Sequence, residues 1–567
     1  MGSDKLIPSD TPKLLPHLPE EIVPRHAWSW ESLCRARRWL DQCLTTHSPT
    51  CTPSAAVPLP TRLLDVSTST VRLVETTPGQ LGRYLALSHC WGASRPACLT
   101  TRASLSSNLS GIPWSSLPAT FRDAVQVARV LETQYLWIDS LCIVQDDVAD
   151  WRREAARMAD VYARAHLTLA ATWAPSDDAG LWPRGPLQNA TAEKVVVERD
   201  GARYAVFVRD ADAVAAVHLA RPHVRWVWER YESTCPLLTR AWCFQERILS
   251  PRVLHFAKGE LLWQCAGLSA CECRFRRRPT RSSPHMGLAI ADPGLATNWF
   301  HVLAKSGPEE VARQWRMMVA GYSQLRLTME KDVLPAMSGL ARVYGGYRPA
   351  GDRYLAGCWE KTLVDDLAWE VRPDLPLRER PKEWRAPTWS WASVGQAVIY
   401  DEQSREYSSI GSTTARARLV RADITLAGDD PTGEIEAASI VLQAPVVGGT
   451  ILEMHPDSNT FQLEMPELDD TARALNKVRT KGAVAIQCLA DSRTDIESRI
   501  LEESSPVTCM LLKEAKRDGG KGMHIILVLA PVSDRPGVYT RIGQGLVMPW
   551  MRVGSLWDAG DSIIEII

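Results

Sequence analysis

No stretch of this 567-residue chain approaches the run of about eighteen apolar residues that a membrane-spanning helix needs. An excess of one charge is missing too. Lys and Arg total 65 against 66 Asp and Glu, a net charge of −1, so no overall field draws nucleic acid or a lipid surface. The chain has no P-loop, no GxGxxG and no zinc-finger spacing, which argues against a kinase, an ATPase or a dehydrogenase. There is no internal repeat. The opening residues, MGSDKLIPSDTPKLLP, lack an apolar core of the secretory type. The expectation is therefore a cytoplasmic protein whose 14 Cys are reduced thiols rather than a disulfide framework. Phe is scarce at 7 and Tyr stands at 12, while Trp reaches 22. Each Trp brings a large apolar area and one N–H donor, so well-built cores and an aromatic-lined cleft are expected.

The length exceeds what one core can hold, and composition shifts suggest four segments. Residues 1–61 read as a Pro-rich arm, a helix from Trp30 to Leu44 and a linker. Residues 62–270 alternate strand and helix, with their densest motifs over 84–247, and that alternation predicts an α/β fold with a mostly parallel sheet and flanking helices. Residues 271–400 form a helical, Trp-rich extension, and 401–567 read as alternating strands, a β-rich C-terminal domain. The RFRRRPTR run over 274–281 is read as a solvated loop rather than a phosphate or RNA patch.

The stretch 135–171 organises the α/β segment. It predicts a strand over 135–144 interrupted by Asp139, a carboxylate-rich turn, a helix N-capped by Asp150, and a second strand. Trp151, Ala155, Met158, Ala159 and Tyr162 share one helix face, and Glu154 lies one turn in, on the side of Trp151. A second helix over 120–131 has Thr120 as its expected N-cap. Ligands of parallel sheets collect beyond the carboxyl ends of the strands. Two stretches fall there: Ser88, His89 and Trp91 after the YLALS strand, and Asp139 onward.

Each candidate has a plainer alternative. Ser88 and His89 are adjacent on extended chain and point to opposite faces, so a pocket-lining role suits them better than a nucleophile–base pair, with Trp91 as a stacking wall. Asp139 needs a partner or a cleft, for which Arg122 and Arg240 are the nearest candidates by type. Arg240, Trp242, Gln245 and Glu246 can complete a cleft or form a structural network. Glu154 is either a site carboxylate or a partner of Arg152, Arg153 or Arg157. Cys142 and Cys243 are read as inert buried thiols. Cys43, His47 and Cys51 have metal-like spacing, but the helix breaks over 45–49 and no fourth ligand lies nearby in sequence, so no metal site is assigned.

The motifs YLALSHCWG (84–92), PATFRDA (118–124), YLWIDSLCIVQD (135–146), MADVY (158–162) and TRAWCFQE (239–246) resemble those of fungal HET-domain (heterokaryon incompatibility) proteins. Further blocks, YSQLRLT (322–328), 332–341, YLAGCW (354–359) and PTWSWA (387–392), extend the resemblance over roughly 30–400. The family implies a protein of fungal non-self recognition and programmed cell death. HET domains are in turn similar to TIR domains, whose enzymatic members cleave NAD with a Glu on a helix after a central strand. That fold-level analogy implies Glu154 as the catalytic carboxylate, with Ser88, His89, Trp91, Asp139, Trp151 and Arg240 lining a nucleotide site. NAD is then a substrate, with no permanent cofactor, and a protein partner or a second copy is expected. Two alternatives stay open: a non-catalytic signalling module, and a HET-like enzyme recruited to fungal secondary-metabolite biosynthesis.

Overall fold

The computed structural model describes residues 7–8, 30–47, 51, 56–92, 96, 98–184, 193–199, 202–208, 233–272, 277–278, 303–373, 375–400, 410–455, 459–466, 483–493, 495–496, 506–517, 522–548, 557 and 560–567. The chain divides into two units, Met1–Ser306 and Gly307–Ile567. The expected Pro-rich arm and basic loop lie outside the described residues, apart from Ile7–Pro8 and Arg277–Arg278. No helix among the described residues is long and apolar enough to cross a membrane.

The first unit is built on a nine-stranded sheet. Its strands are β1 (Arg62–Asp65), β2 (Arg72–Glu75), β3 (Tyr84–Ser88), β4 (Tyr135–Trp137), β5 (Leu167–Ala170), β6 (Arg252–Phe256), β7 (Leu261–Cys265), β8 (Ser269–Cys271) and β9 (Arg277–Arg278). They lie in the order β9-β8-β7-β6-β5-β3-β4-β1-β2. Only β4, β3, β5 and β6 run parallel to one another; the flanking pairs are antiparallel. The sheet is therefore mixed rather than mostly parallel. The outer strands are joined by turns of a few residues, which can only return the chain antiparallel. Strands β3, β5 and β6 are buried at every position, as expected where helices cover both faces.

Three helices connect the parallel strands: α2 (Ala119–Val130), α3 (Val148–Arg164) and α4 (Ala241–Leu249). Another, α1 (Trp30–Thr46), precedes the sheet in sequence. Local chemistry moves two expected boundaries. Strand β4 stops at Trp137 because the Asp139 carboxylate accepts the Ser140 N–H at 2.7 Å and opens the one-turn helix Asp139–Cys142. The cap of α3 is Asp147, which accepts from the Ala149 and Asp150 N–H groups. Asp150 sits inside the first turn and is 3% exposed, paired with Arg62 of β1 through two hydrogen bonds of 3.0 and 2.7 Å. Likewise α2 begins at Ala119 after Pro118, and Thr120 lies within its first turn.

In the second unit, helices α5 (Pro308–Tyr322) and α6 (Pro335–Gly345) pack around Trp315, whose ring lies 5.1 Å from Tyr344 and 5.7 Å from Trp359. The β-rich segment forms β10 (Ile435–His455), β11 (Thr460–Pro466), β12 (Ala483–Ala490), β13 (Pro506–Arg517), β14 (Gly522–Pro531) and β15 (Val538–Val547). Because the long β10 pairs with both β11 and β13, these six antiparallel strands close into a ring. Arg541 of β15 is fully buried. It donates to Asp491 and to the carbonyls of Leu367 and Trp369, and it stacks 3.4 Å from the Trp369 ring. The Trp-rich stretch and the strands thus share one unit, and the expected boundary at 400/401 falls inside it.

Candidate active site

The four parallel strands, taken in chain order, lie as 2-1-3-4 across the sheet. In that arrangement the chain leaves first and third strands in opposite directions, which opens a crevice beyond their carboxyl ends. Here those ends are Ser88 of β3 and Ala170 of β5, which are register partners. Helix α4 packs over them and against α3.

A buried polar cluster occupies this point. Ser88, His89 and Glu246 are 4%, 5% and 5% exposed. The imidazole of His89 faces Asp139 through Nε2 at 3.0 Å and the Cys90 carbonyl through Nδ1 at 3.3 Å. Phe121 of α2 meets the ring edge-on at 5.0 Å. The Trp91 indole N–H donates to the other Asp139 oxygen at 2.9 Å. Gly92 follows with φ of +96°, and a Cβ there would come within 3.0 Å of Ser176, so glycine is what lets this loop turn. Burial alone would raise the Asp139 pKa; His89, the Ser140 N–H and Trp91 outweigh it and hold the carboxylate below its usual range. The partners of Asp139 are thus His89 and Trp91 rather than Arg122.

On the other side of the β3 end, Ser88 lies beside Glu246 and Cys243 and bears on the ionisation of both. Glu246 is pushed up to about 7, first by burial and then by the nearby Asp139 charge, with Ser88, Arg240 and His89 pulling the other way. Its Oε2 is buried with no hydrogen-bond partner among the described residues. Ser88 and His89 therefore serve different partners, as their opposite directions on the strand predict. Half-buried Trp91 and Arg240 bring the cluster to the surface. The thiols of Cys142 and Cys243 are buried and held high, Cys142 at about 12, so neither is a ready nucleophile.

Glu154 stands elsewhere. It is 3% exposed and accepts from the Thr61 hydroxyl at 3.0 Å. Arg153 and Arg157 lie 3.4 and 3.7 Å from the same oxygen. It lines a cavity of about 190 Å³ with Pro58, Tyr84, Arg157 and Arg164. None of His89, Trp91, Asp139 or Arg240 lines that cavity. Trp151 meets Trp242 edge-to-face at 6.4 Å, so it braces α3 on α4. The sequence held one clue to Glu246, its place in the TRAWCFQE motif, but nothing local marks that carboxyl as buried beside Ser88.

A second group forms at the start of the chain. Cys43, His47, Cys51 and Cys265 bring one ligand atom each, all within 4.8 Å of one another. The fourth group missing from the local sequence is supplied by the end of β7, far along the chain.

No curated protein and no solved structure matches the chain. Residues 84–246, which run from the first residue of β3 to the cluster carboxyl Glu246, match the family model described as heterokaryon incompatibility protein (HET), and this stretch of the chain is a HET domain.

Proposed function

We propose that this chain is a heterokaryon incompatibility-type protein of fungal non-self recognition and programmed cell death, and that its HET domain hydrolyses NAD at the Glu246 cluster. The observation that carries the reading is a buried carboxyl with its pKa raised to about 7, at the strand-order switch among the parallel strands of a mixed sheet, with one oxygen unpartnered among the described residues. In the TIR-like analogy the catalytic Glu rides a helix after a central strand. Helix α4 is the helix between the central strand β5 and β6, which supports giving that role to Glu246.

The chemistry follows from these groups. Ionised Glu246 accepts the ribose hydroxyls and stabilises the positive charge that develops on the ribose as the C–N bond to nicotinamide breaks. The bond's electron pair leaves with nicotinamide and neutralises its ring. Water adds to the ribose carbon and releases a proton, which gives ADP-ribose. Arg240 faces the pyrophosphate, and Trp91, fixed by Asp139, offers a stacking face. Asp139 positions His89 and Trp91 and does not touch the reacting atoms.

A second reading keeps Glu154 as the catalytic carboxylate, favoured by the cavity it shares with Arg157 and Arg164. Nicotinamide release from NAD by the purified chain, beside Glu246→Gln and Glu154→Ala, separates the two. Loss in Glu246→Gln alone supports the first and loss in Glu154→Ala alone the second. No turnover in the wild type, with cell killing retained by both variants, supports a non-catalytic signalling module.

A further inference from the structure

We propose that Cys43, His47, Cys51 and Cys265 bind one zinc ion that staples the N-terminal helix to the sheet of the first unit. The four ligand atoms lie within 4.8 Å of one another, and three of the residues are buried. A tetrahedral zinc with sulfur at about 2.3 Å holds its ligands about 3.8 Å apart, so only a small contraction closes the site. Three sulfurs and one imidazole are a soft donor set that suits zinc over magnesium or calcium. All four positions are filled by protein, which is the pattern of a structural rather than a catalytic site.

The surroundings fit a bound metal thiolate. Arg252 Nε lies 3.3 Å from the Cys43 sulfur, where its charge offsets the negative charge of a three-thiolate zinc centre. The Gly267 N–H hydrogen-bonds toward Cys51 and Cys265, in a tight turn where the Cys265 and Leu268 backbones exchange bonds. Such N–H donors orient and stabilise ligating sulfurs. A Cβ at position 267 would come within 2.8 Å of the His47 ring, so only glycine leaves room for that imidazole. His47 Nδ1 already stands 3.4 Å from the Cys265 sulfur.

The fold gives the site a task. Helix α1 and the turn after it supply three ligands, and β7 supplies the fourth. Side-chain contacts between them include Trp39 on Trp263 at 6.4 Å and Arg35 on the Glu272 carbonyl at 2.8 Å. Binding displaces a proton from each of the three thiols, so the metal's affinity becomes stability of the docked helix.

The test uses the full chain purified without chelator. Metal analysis is expected to find one zinc per chain. Cobalt(II) added to metal-free protein is expected to give thiolate-to-cobalt charge-transfer bands and the strong visible absorption of a tetrahedral site. Cys265→Ser is expected to weaken metal binding by at least about tenfold. Cys34→Ser, outside the cluster, is expected to keep the full equivalent. Should Cys265→Ser fail to fold, His47→Cys decides: it retains one equivalent and shifts the cobalt spectrum toward that of four sulfurs. The proposal is overturned by wild-type protein with far less than one zinc and no tetrahedral cobalt spectrum. It is equally overturned by undiminished binding in Cys265→Ser, or by a disulfide among Cys43, Cys51 and Cys265 in freshly purified protein.

Discussion

Glu246 is the residue on which the proposed chemistry turns, and its ionisation gives two predictions of opposite sense. Catalysis needs the carboxylate, so NAD turnover is expected to fall as pH drops below about 7, the value to which burial raises this group. A pH–rate profile with no acid limb near there contradicts the role. Stability runs the other way. Between the ordinary carboxyl value of about 4.5 and about 7 the folded chain keeps a proton that the unfolded chain has lost, so stability declines as pH rises through that window. The shift corresponds to about 3 kcal/mol. Glu246→Gln is therefore expected to unfold at higher denaturant than wild type at pH 8 and to show no such gain at pH 4. Asp139→Asn tests a different position. It keeps the shape but weakens the hold on His89 and Trp91, and a loss seen mainly in KM is expected, because those two side chains line rather than react. The sequence made Asp139, His89 and Trp91 legible as a group beyond strand ends. It placed Glu154 by its spacing from Trp151, but not its surroundings: the carboxylate turns to Thr61 and two Arg and lines a cavity apart from His89 and Trp91. Exposure and pKa are set by what packs on a helix from elsewhere in the chain, and a helical period records none of that.

At the scale of elements, α3 shows how local rules and distant partners divide the work. Its apolar face was readable from spacing, and Ala155, Met158, Ala159 and Tyr162 are buried as that spacing predicts. Its cap was not, because Asp147 and Asp150 are equally good capping types and only the buried guanidinium of Arg62 decides between them. That ion pair is 2.7 Å long and nearly water-free, and the Val144 N–H also donates to Asp150. Removing Arg62 leaves the buried Asp150 carboxylate to the Val144 N–H and the more exposed Arg153. Arg62→Met is expected to cost about 3–5 kcal/mol, read from denaturant unfolding of the first unit. A cost below about 1 kcal/mol would mean that the pair is solvated in solution. The parallel strands were legible because short apolar, β-favouring stretches such as YLALS alternate with helical patterns. The antiparallel flanks were not, since strand direction depends on connection length more than on strand composition.

At the scale of the whole molecule, the chain divides into two units, Met1–Ser306 and Gly307–Ile567. The strands after 401 were plain from alternation, but their closure was hidden. It depends on one strand, β10, being long enough to pair with two others. Nor could composition reveal that Arg541 ties the Trp-rich stretch to this ring through Leu367, Trp369 and Asp491. Arg541→Leu is expected to destabilise the second unit by about 3–5 kcal/mol, because buried Asp491 loses its hydrogen-bonded partner and keeps only Arg380 at 3.9 Å. A calorimetric scan reads this as a lowered transition for the second unit, and an unchanged trace would argue against that tie. The measurement that bears most directly on the account is nicotinamide release from NAD by the full chain at pH 7.5, wild type against Glu246→Gln. Turnover by the wild type is expected, with a loss of at least about a hundredfold in the variant, while Glu154→Ala stays within a few fold. Equal turnover by wild type and Glu246→Gln would contradict it.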